Sequence, residues 1–233
     1  MCLPAASERI ARREGGGTVH DLHIGHPLPG NRFLRWLLGA YGAVFLAAAI
    51  APHDRGDWLL ENVLVFAFAA VLALTHRRFV FSNFSYLLIF LFLALHAWGA
   101  HHTYSLTPLG FWLQDGLGLS RNHYDRIVHF AFGLLLVYPL HELARRTLHL
   151  RGSWSYLVPA LAALALSSSY EIVEWWAARI VDPDLGVAFL GTQGDEWDAQ
   201  KDMALALLGA AIGLGLAALH RGKTGREPWE LLR

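Results

Sequence analysis

Three pairs of ionisable residues stand out in this apolar sequence, because the members of each pair fall one helical turn apart beside a long hydrophobic run. The pairs are Asp125 with His129, Glu171 with Glu174, and Asp198 with Asp202. Spacings of three and four residues place both members of a pair on one helix face. Carboxylates sharing a partly desolvated face repel one another unless a proton or a cation lies between them. The pattern therefore predicts acid/base chemistry or metal binding.

All six of these residues are candidate catalytic groups. Carboxylates and imidazoles from several helices of a bundle build di-iron and di-manganese sites, and they also suit zinc. The candidate ligands of a divalent metal are His129, Glu171, Glu174, Asp198 and Asp202. Two nearby basic residues, Arg121 and Arg126, are candidates to bind an anionic headgroup of the substrate.

A structural ion-pair network is the alternative interpretation of the same acids. Four basic residues flank the region and are able to neutralise several carboxylates: Arg121, Arg126, Arg179 and Lys201. Asp195 also has a local alternative as the N-cap of the helix that follows it, where the helix dipole favours an acid. Glu196 is expected to lie in water.

The composition indicates which class of protein carries these residues. Of 233 residues, 55% are hydrophobic and 16% are charged. In a typical soluble domain, about a quarter of the residues are charged. The apolar residues cluster into runs of about 20, the length that crosses a bilayer as a helix. The fold class is therefore all-α, a polytopic membrane protein with a bundle of six transmembrane helices. The zero net charge gives no argument for a nucleic-acid partner, and a single cysteine excludes an internal disulfide.

Six spans divide the chain into a polar N-terminal tail (1–31), a transmembrane domain (32–221) and a C-terminal tail (222–233). The predicted spans are about Arg32 to Ala51, Trp58 to Thr75, Phe84 to Thr103, Tyr124 to Ala144, Ser155 to Ile180, and Asp198 to His220. The N-terminal tail is predicted to be flexible. It contains His20, His23 and His26, whose regular spacing is also compatible with a metal.

The distribution of Lys and Arg predicts the orientation of the spans. Fourteen of these residues fall in the N-terminal flank, the second and fourth connections and the C-terminal tail, and five fall on the other side. Basic residues accumulate on the cytoplasmic side, so both termini are predicted to be cytoplasmic. The six catalytic candidates then lie at similar depth near the periplasmic face.

Several other residues are predicted to serve packing or the membrane surface. Gly209 and Gly213 form a Gly-x-x-x-Gly pair, which permits close helix approach. The serines around Ser167 are expected to pack against neighbouring helices. His96 is expected to hydrogen-bond a neighbouring group, and His141 to contact lipid headgroups.

Six ordered motifs between about residues 52 and 215 point to a known family. They are Asp57-Trp58-x-x-Glu61-Asn62, Arg78-Phe79-x-Phe81-Ser82-Asn83-x-Ser85-Tyr86, Gly99-Ala100-His101-x-Thr103-Tyr104-Ser105, Arg121-Asn122-His123-x-Asp125-Arg126-x-x-His129-Phe130, Tyr170-Glu171-x-x-Glu174-Trp175, and Gly191-Thr192-Gln193-Gly194-Asp195-x-Trp197-Asp198-x-x-x-Asp202-Met203. Together they resemble the YjdF-type bacterial inner-membrane proteins. The resemblance implies a multi-pass inner-membrane protein of a family without an assigned biochemical activity.

The leading functional interpretation is metal- or acid/base-assisted hydrolysis or transfer on a lipid or lipid-linked substrate, within the bilayer that surrounds the protein. A small transporter or proton-coupled permease would use the same acids as a relay. A non-catalytic membrane component would hold them in ion pairs. The sequence does not indicate the identity of the metal or substrate, or the oligomeric state.

Overall fold

The computed structural model describes residues 27–232, and helices account for most of that part of the chain. In chain order, the α-helices are α1 (Arg32–Ala49), α2 (Arg55–Thr75), α3 (Asn83–His102), α4 (Pro108–Leu117), α5 (Tyr124–Thr147), α6 (Trp154–Ile180), α7 (Pro183–Leu190) and α8 (Asp198–Thr224). All except α4 and α7 are long and apolar enough to cross a membrane. The predicted all-α fold with six membrane helices is therefore confirmed. The N-terminal histidines His20, His23 and His26 lie outside the described residues.

Polar residues at the loop ends determine where three of the membrane helices begin. Asn31, Asp54 and Ser82 stand immediately before α1, α2 and α3, and each has extended backbone angles. Each side chain accepts a hydrogen bond from the backbone N–H three residues later, at 2.9, 2.8 and 3.2 Å respectively. These caps satisfy amide groups that a helix start otherwise leaves without a partner.

The two short helices were not predicted from the sequence, although each has a recognisable start and end. Pro108 and Pro183 occupy the first position of α4 and α7, and Gly118 and Gly191 follow their last residues with φ of +62° and +59°. Proline at the start and left-handed glycine after the end are typical helix boundaries. Both helices lie in the connections that lead into α5 and α8.

Helix α5 is the centre of the bundle. In the apolar 18-residue stretch of α5 that is able to cross a membrane, 61% of the residues are buried, compared with 11% in that of α1. Helix α5 packs against α3, α6 and α8. The closest approach is to α8, where glycines remove the side chains between the two backbones. A Cβ atom at Gly133 would lie 1.8 Å from Ala206 O, and one at Gly209 would lie 2.2 Å from Phe130 O. The predicted role of Gly209 and Gly213 in close packing is confirmed.

The six helices form a bundle with two polar ends. The end that contains the starts of α2, α5 and α8 carries the predicted site and is called here the acidic end. The opposite end, which contains the described termini, has a buried polar cluster of its own. There Glu142 is fully buried, accepts hydrogen bonds from Ser82 N (2.8 Å) and Oγ (2.7 Å), and pairs with Arg146. This cluster holds the connection between α2 and α3 against α5.

The prediction that His141 contacts lipid headgroups is wrong. Its side chain is fully buried, and its Nδ1 lies 2.6 Å from Ser155 O at the start of α6. The histidine is near a helix end in the sequence, but the C-terminal segment folds back over it. Trp229 in that segment packs against His141 with ring centroids 6.4 Å apart.

The C-terminal segment is fixed to the bundle by one acid and one aromatic residue. Glu227 pairs with Arg145 at 2.7 Å and with Arg221 at 3.2 Å. The Trp229 backbone N–H donates to the Tyr138 hydroxyl at 2.8 Å. These contacts join the segment to both α5 and α8, so it is a packed part of the fold.

Substitution of Gly209 by Ala is expected to destabilise the protein by about 2 kcal/mol, because the added methyl group would collide with the backbone of α5. The measurement is denaturant titration of the protein in detergent micelles. Gly215→Ala in the same helix is the control, since within residues 27–232 no atom from outside the local backbone lies within 4 Å of a Cβ there. That change should be neutral or stabilising by up to about 1 kcal/mol. Equal stability of the two variants would contradict the close packing.

Acidification is expected to release the C-terminal segment. Burial opposes ionisation of Glu227, but His141, Arg145 and Arg221 outweigh it and lower the pKa of this carboxyl. A lowered pKa stabilises the folded form above the ordinary glutamate pKa of about 4.3, and this contribution is lost as the pH falls through the lowered value. Hydrogen exchange of residues 226–231 should therefore be slower than in Glu227→Gln at pH 7. The difference should shrink as the pH falls below about 4, and a difference independent of pH would refute the carboxylate's role.

Candidate functional site

The loop between α7 and α8 is joined to the loop between α4 and α5 at the acidic end. The Asn122 backbone N–H donates to Gln193 Oε1 at 3.1 Å, and Gln193 Nε2 donates back to Asn122 O at 2.9 Å. The glycines on either side of this contact, Gly191 and Gly194, have φ of +59° and +84°. Glycine adopts such angles at the least cost, because it has no Cβ atom. The Gly-Thr-Gln-Gly motif is therefore the turn that sets α8 beside α5.

Arg121 reinforces the same junction. Its side chain is 5% exposed and forms a buried ion pair with Asp198. Its guanidinium also donates to Thr192 O at 2.8 Å and to Gly191 O at 3.1 Å. The predicted role of Arg121 in binding a headgroup would require these contacts to be displaced, and the geometry favours a positioning role.

Arg126 and Lys201 neutralise the second acid of this loop. Asp195 pairs with Arg126, and Lys201 Nζ lies 2.7 Å from its Oδ2. The Lys201 hydrogen bonds, with those from the Trp197 backbone and Arg126, lower the pKa of Asp195 well below its usual range. The predicted N-cap role of Asp195 is wrong, because Trp197 occupies that position and α8 begins one residue later.

Ion pairs with Arg or Lys therefore account for Asp195 and Asp198, but not for the other candidate acids. Arg179 is exposed, and within residues 27–232 it forms no ion pair. Glu196 is exposed, as predicted. Among the same residues, no Lys or Arg pairs with the remaining candidate acids, which are Asp125, Glu171, Glu174 and Asp202.

These four acids share one cavity with Asp198. The cavity has a volume of about 240 Å³, and its other walls are Trp175, Leu190, Thr192 and Ala199. Residues from α5, α6 and α8 thus meet at one depth, as the helix directions predict. Glu174 and Asp202 are 7% and 1% exposed, so their carboxylates are removed from bulk water. Buried carboxylates in this number require protons or a cation between them.

Two of these acids, Asp125 and Asp202, form a close group with His129, which lies beside the cavity. Each offers one ligand atom, and these atoms all lie within 4.8 Å of one another. His129 Nε2 is 3.6 Å from Asp125 Oδ1 and 3.5 Å from Glu171 Oε1. Two carboxylates and one imidazole at this separation resemble the ligand set of zinc and manganese sites.

Two further contacts agree with a cation at this position. The Ser167 hydroxyl lies 3.4 Å from His129 Nδ1, so the ring nitrogen that faces away from the acids has a partner that orients the imidazole, as in metal sites. Asp202 Oδ1 and Glu171 Oε1 are buried without a hydrogen-bond partner in the described part of the chain. Carboxylate oxygens of this kind are available as ligands.

Sequence reasoning missed Glu61, which extends the polar group toward α2. Glu61 is 4% exposed, and the Tyr170 hydroxyl donates to its Oε2 at 3.0 Å. The available signal was an acid inside the apolar run of α2, one turn after Asp57.

His96 lies nearby with its Nδ1 2.6 Å from the Tyr104 hydroxyl, which confirms its predicted hydrogen bond to a neighbour.

Comparison with known proteins agrees with the motifs found in the sequence. The family model described as "Predicted membrane protein (DUF2238)" matches residues 33–223. The chain belongs to the DUF2238 family. It is also 41% identical over 169 residues to the inner membrane protein YjdF of Escherichia coli (strain K12), an alignment that covers 72% of this chain and 80% of that protein. No solved structure matches the chain.

Membership of DUF2238 confirms the predicted resemblance and the predicted location. The chain is a multi-pass inner-membrane protein, with six helices of sufficient length and apolarity. The family description and the relative's name state no reaction, ligand or partner. The orientation of the termini and the roles of the site residues stay predictions.

Substitution of Arg121 by Gln is expected to destabilise the fold by about 3 kcal/mol, the lower end of the range for breaking a buried ion pair. The lower end applies because Arg126 Nη2 still lies 3.3 Å from Asp198 Oδ1. Denaturant titration measures the loss, and Arg179→Gln is the control because Arg179 is exposed and forms no ion pair in the described chain. A double variant with Asp198→Asn should lose less than the two single losses combined. Strict additivity would show that the pair is not coupled.

Proposed function

We propose that this protein is a divalent-metal-dependent hydrolase or transferase that acts on a lipid or lipid-linked substrate at the membrane surface. The observation that carries the proposal is the convergence of Asp125, His129 and Asp202, whose ligand atoms lie within 4.8 Å of one another. Asp125 and Asp202 line the acid cavity, and His129 Nε2 lies 3.6 Å from Asp125 Oδ1. The cation would be held by these three residues, with Glu171 next to them.

The ligand chemistry favours a transition metal over calcium. Calcium takes six to eight oxygen ligands, whereas an imidazole together with carboxylates suits zinc, manganese or iron. When bound, such a metal supplies Lewis acidity and lowers the pKa of a coordinated water. Three protein ligands leave positions for water and substrate, which is the arrangement of catalytic sites.

The cavity also holds carboxylates that are able to move protons. Glu171 Oε1 is 3.5 Å from His129 Nε2, and Glu174 lies one turn further along α6 in the same wall. In hydrolysis of an ester, the water oxygen would bond to the acyl carbon or phosphorus as the bond to the leaving oxygen breaks. One of these glutamates would take the proton from water and return it to the leaving oxygen.

The position of the cavity supports a lipid substrate. Trp175 lines it and is 57% exposed, and Trp197 at the start of α8 is exposed to the same extent. Exposed tryptophans gather at the level of the headgroups. Asp202 lies four residues into α8, which is about 6 Å along the helix. The reacting groups would therefore stand just below the headgroup layer, on the periplasmic side in the proposed orientation.

The permease alternative is less well supported. A proton or substrate relay needs polar groups along the whole path. A cluster of buried apolar residues, Val137, Ala163, Ala210 and Leu214, lies between α5, α6 and α8 in the middle of the bundle. The buried polar cluster around Glu142 lies beyond them and is engaged by Ser82 and Arg146.

Protein purified without chelators is expected to retain about one equivalent of zinc, manganese or iron. Inductively coupled plasma mass spectrometry measures the bound metal. Asp202→Asn should lower the metal affinity by roughly 10- to 100-fold or more, because a ligand oxygen becomes an amide. His129→Gln should act in the same direction. Asp115→Asn is the matched control, since Asp115 is an exposed acid of α4.

Metal bound equally by all variants would place the cation elsewhere. If the wild-type protein binds none of these metals while Asp202→Asn keeps native stability, the proposal fails. Hydrolysis of phospholipids in nanodiscs, followed by mass spectrometry of the lipids, then tests the reaction in the metal-loaded protein.

A further inference from the structure

A second and larger cavity lies between α2 and the face formed by α3, α5 and α6. Its volume is about 560 Å³, within the usual size of ligand pockets, about 300–1,000 Å³. Most of its lining is apolar, with Phe68, Leu93, Leu136 and Leu166 along its length. This cavity is called here the apolar groove.

The groove runs along most of the bundle. On α2 its lining extends from Glu61 to Thr75, which is about 21 Å along a helix. It exists because α2 packs against α3 and α7, so that side chains do not fill the space between α2 and the α5–α6 face. The polar end of the groove is formed by groups that include Glu61, His129 and Tyr170.

The groove meets the acid cavity at one residue. Asp125 lines both, and His129 lies in the groove wall while its Nε2 faces Asp125. An occupant of the groove would therefore end at the candidate metal ligands.

The dimensions favour an occupant narrower than a helix. A helix with side chains is about 10–12 Å across, and a length of about 21 Å of it would need well over the groove's volume of about 560 Å³. A single extended chain suits the groove better.

The surroundings indicate what kind of chain this is. An empty apolar void of this volume would destabilise a protein by as much as the whole stability of an ordinary domain, because its lining atoms lose their contacts. Apolar cavities do not hold ordered water. The bilayer lies against α2 and α6, where Val71 and Leu166 are 55% and 50% exposed, and acyl chains are the apolar material at hand.

We propose that the apolar groove binds one acyl chain of a phospholipid, with the ester end of the chain held at Glu61, Tyr170 and Asp125. One leaflet of the hydrocarbon core is about 15 Å thick, so an extended chain fills most of the groove. The chain would fix the substrate so that its ester lies beside Asp125 and His129. This last step rests on the proposed function, whereas binding of the chain does not.

Photolabelling tests the proposal. The protein is placed in nanodiscs that contain a phosphatidylglycerol with a diazirine at the middle of one palmitoyl chain, and the labelled residues are mapped by mass spectrometry. Labels are expected on groove residues such as Leu93 and Leu136. Leu136→Trp and Leu166→Trp should abolish groove labelling by filling the space.

Leu161→Trp is the matched control, because Leu161 is on the same helix as Leu166, is similarly exposed at 52%, and does not line the groove. Leu166 lies at the rim, so its variant keeps the test valid if Leu136→Trp fails to fold. Labels confined to outer residues such as Leu207 and Leu216, or groove labels that persist in Leu166→Trp, would overturn the proposal. Cross-linking of two copies through the groove would also overturn it.

Labelling is repeated in Asp202→Asn to separate the two proposals. Groove labels that persist in Asp202→Asn would show that acyl-chain binding does not depend on the metal. Groove labels in a wild-type protein that binds no metal would leave acyl-chain binding intact and refute only the metal site. Metal binding without groove labels would leave the metal site intact and refute acyl-chain binding.

Discussion

The close approach of α5 and α8 is the contact on which the candidate site depends. At Gly133 and Gly209 the two backbones come so near that a Cβ atom would lie 1.8 and 2.2 Å from a carbonyl oxygen of the other helix. Association of helices in a bilayer gains little from the hydrophobic effect, and small residues that permit close packing replace it. The same contact sets the acids at the starts of the two helices within reach of one another. Side chains larger than glycine at these positions would force the two helices apart.

The loops at the acidic end turn this contact into a defined geometry. Gln193 and Asn122 exchange hydrogen bonds, and Arg121 binds Asp198 together with backbone carbonyls of the loop before α8. Arg121, Arg126 and Lys201 neutralise Asp195 and Asp198, the acids that lie nearest to them. Asp125, Glu171, Glu174 and Asp202 are left without a Lys or Arg partner among residues 27–232 and line the cavity. One helix turn therefore separates acids that stabilise the junction from acids available for chemistry.

Helix α2 completes the site from the opposite side. It carries Glu61, whose carboxylate accepts a hydrogen bond from Tyr170, and its spacing from α5 and α6 leaves the apolar groove. The groove has polar groups at one end and apolar walls along the rest, so its shape and polarity are complementary to an amphiphilic molecule. The acid cavity and the groove meet at Asp125, so an occupant of the groove would end at the candidate site.

The sequence by itself determined the fold class, the six spans and the depth at which the acids gather, because hydrophobic length and helical periodicity are local properties. It also identified the family through its ordered motifs. It did not determine which acids would be neutralised, since Arg121 and Asp198 are 77 positions apart and their pairing depends on two loops. Glu61, His141 and the short helices were missed or misplaced for related reasons. Whether an acid is paired, whether a histidine is covered and whether a space between helices stays open are consequences of distances across the bundle, which only the tertiary structure decided.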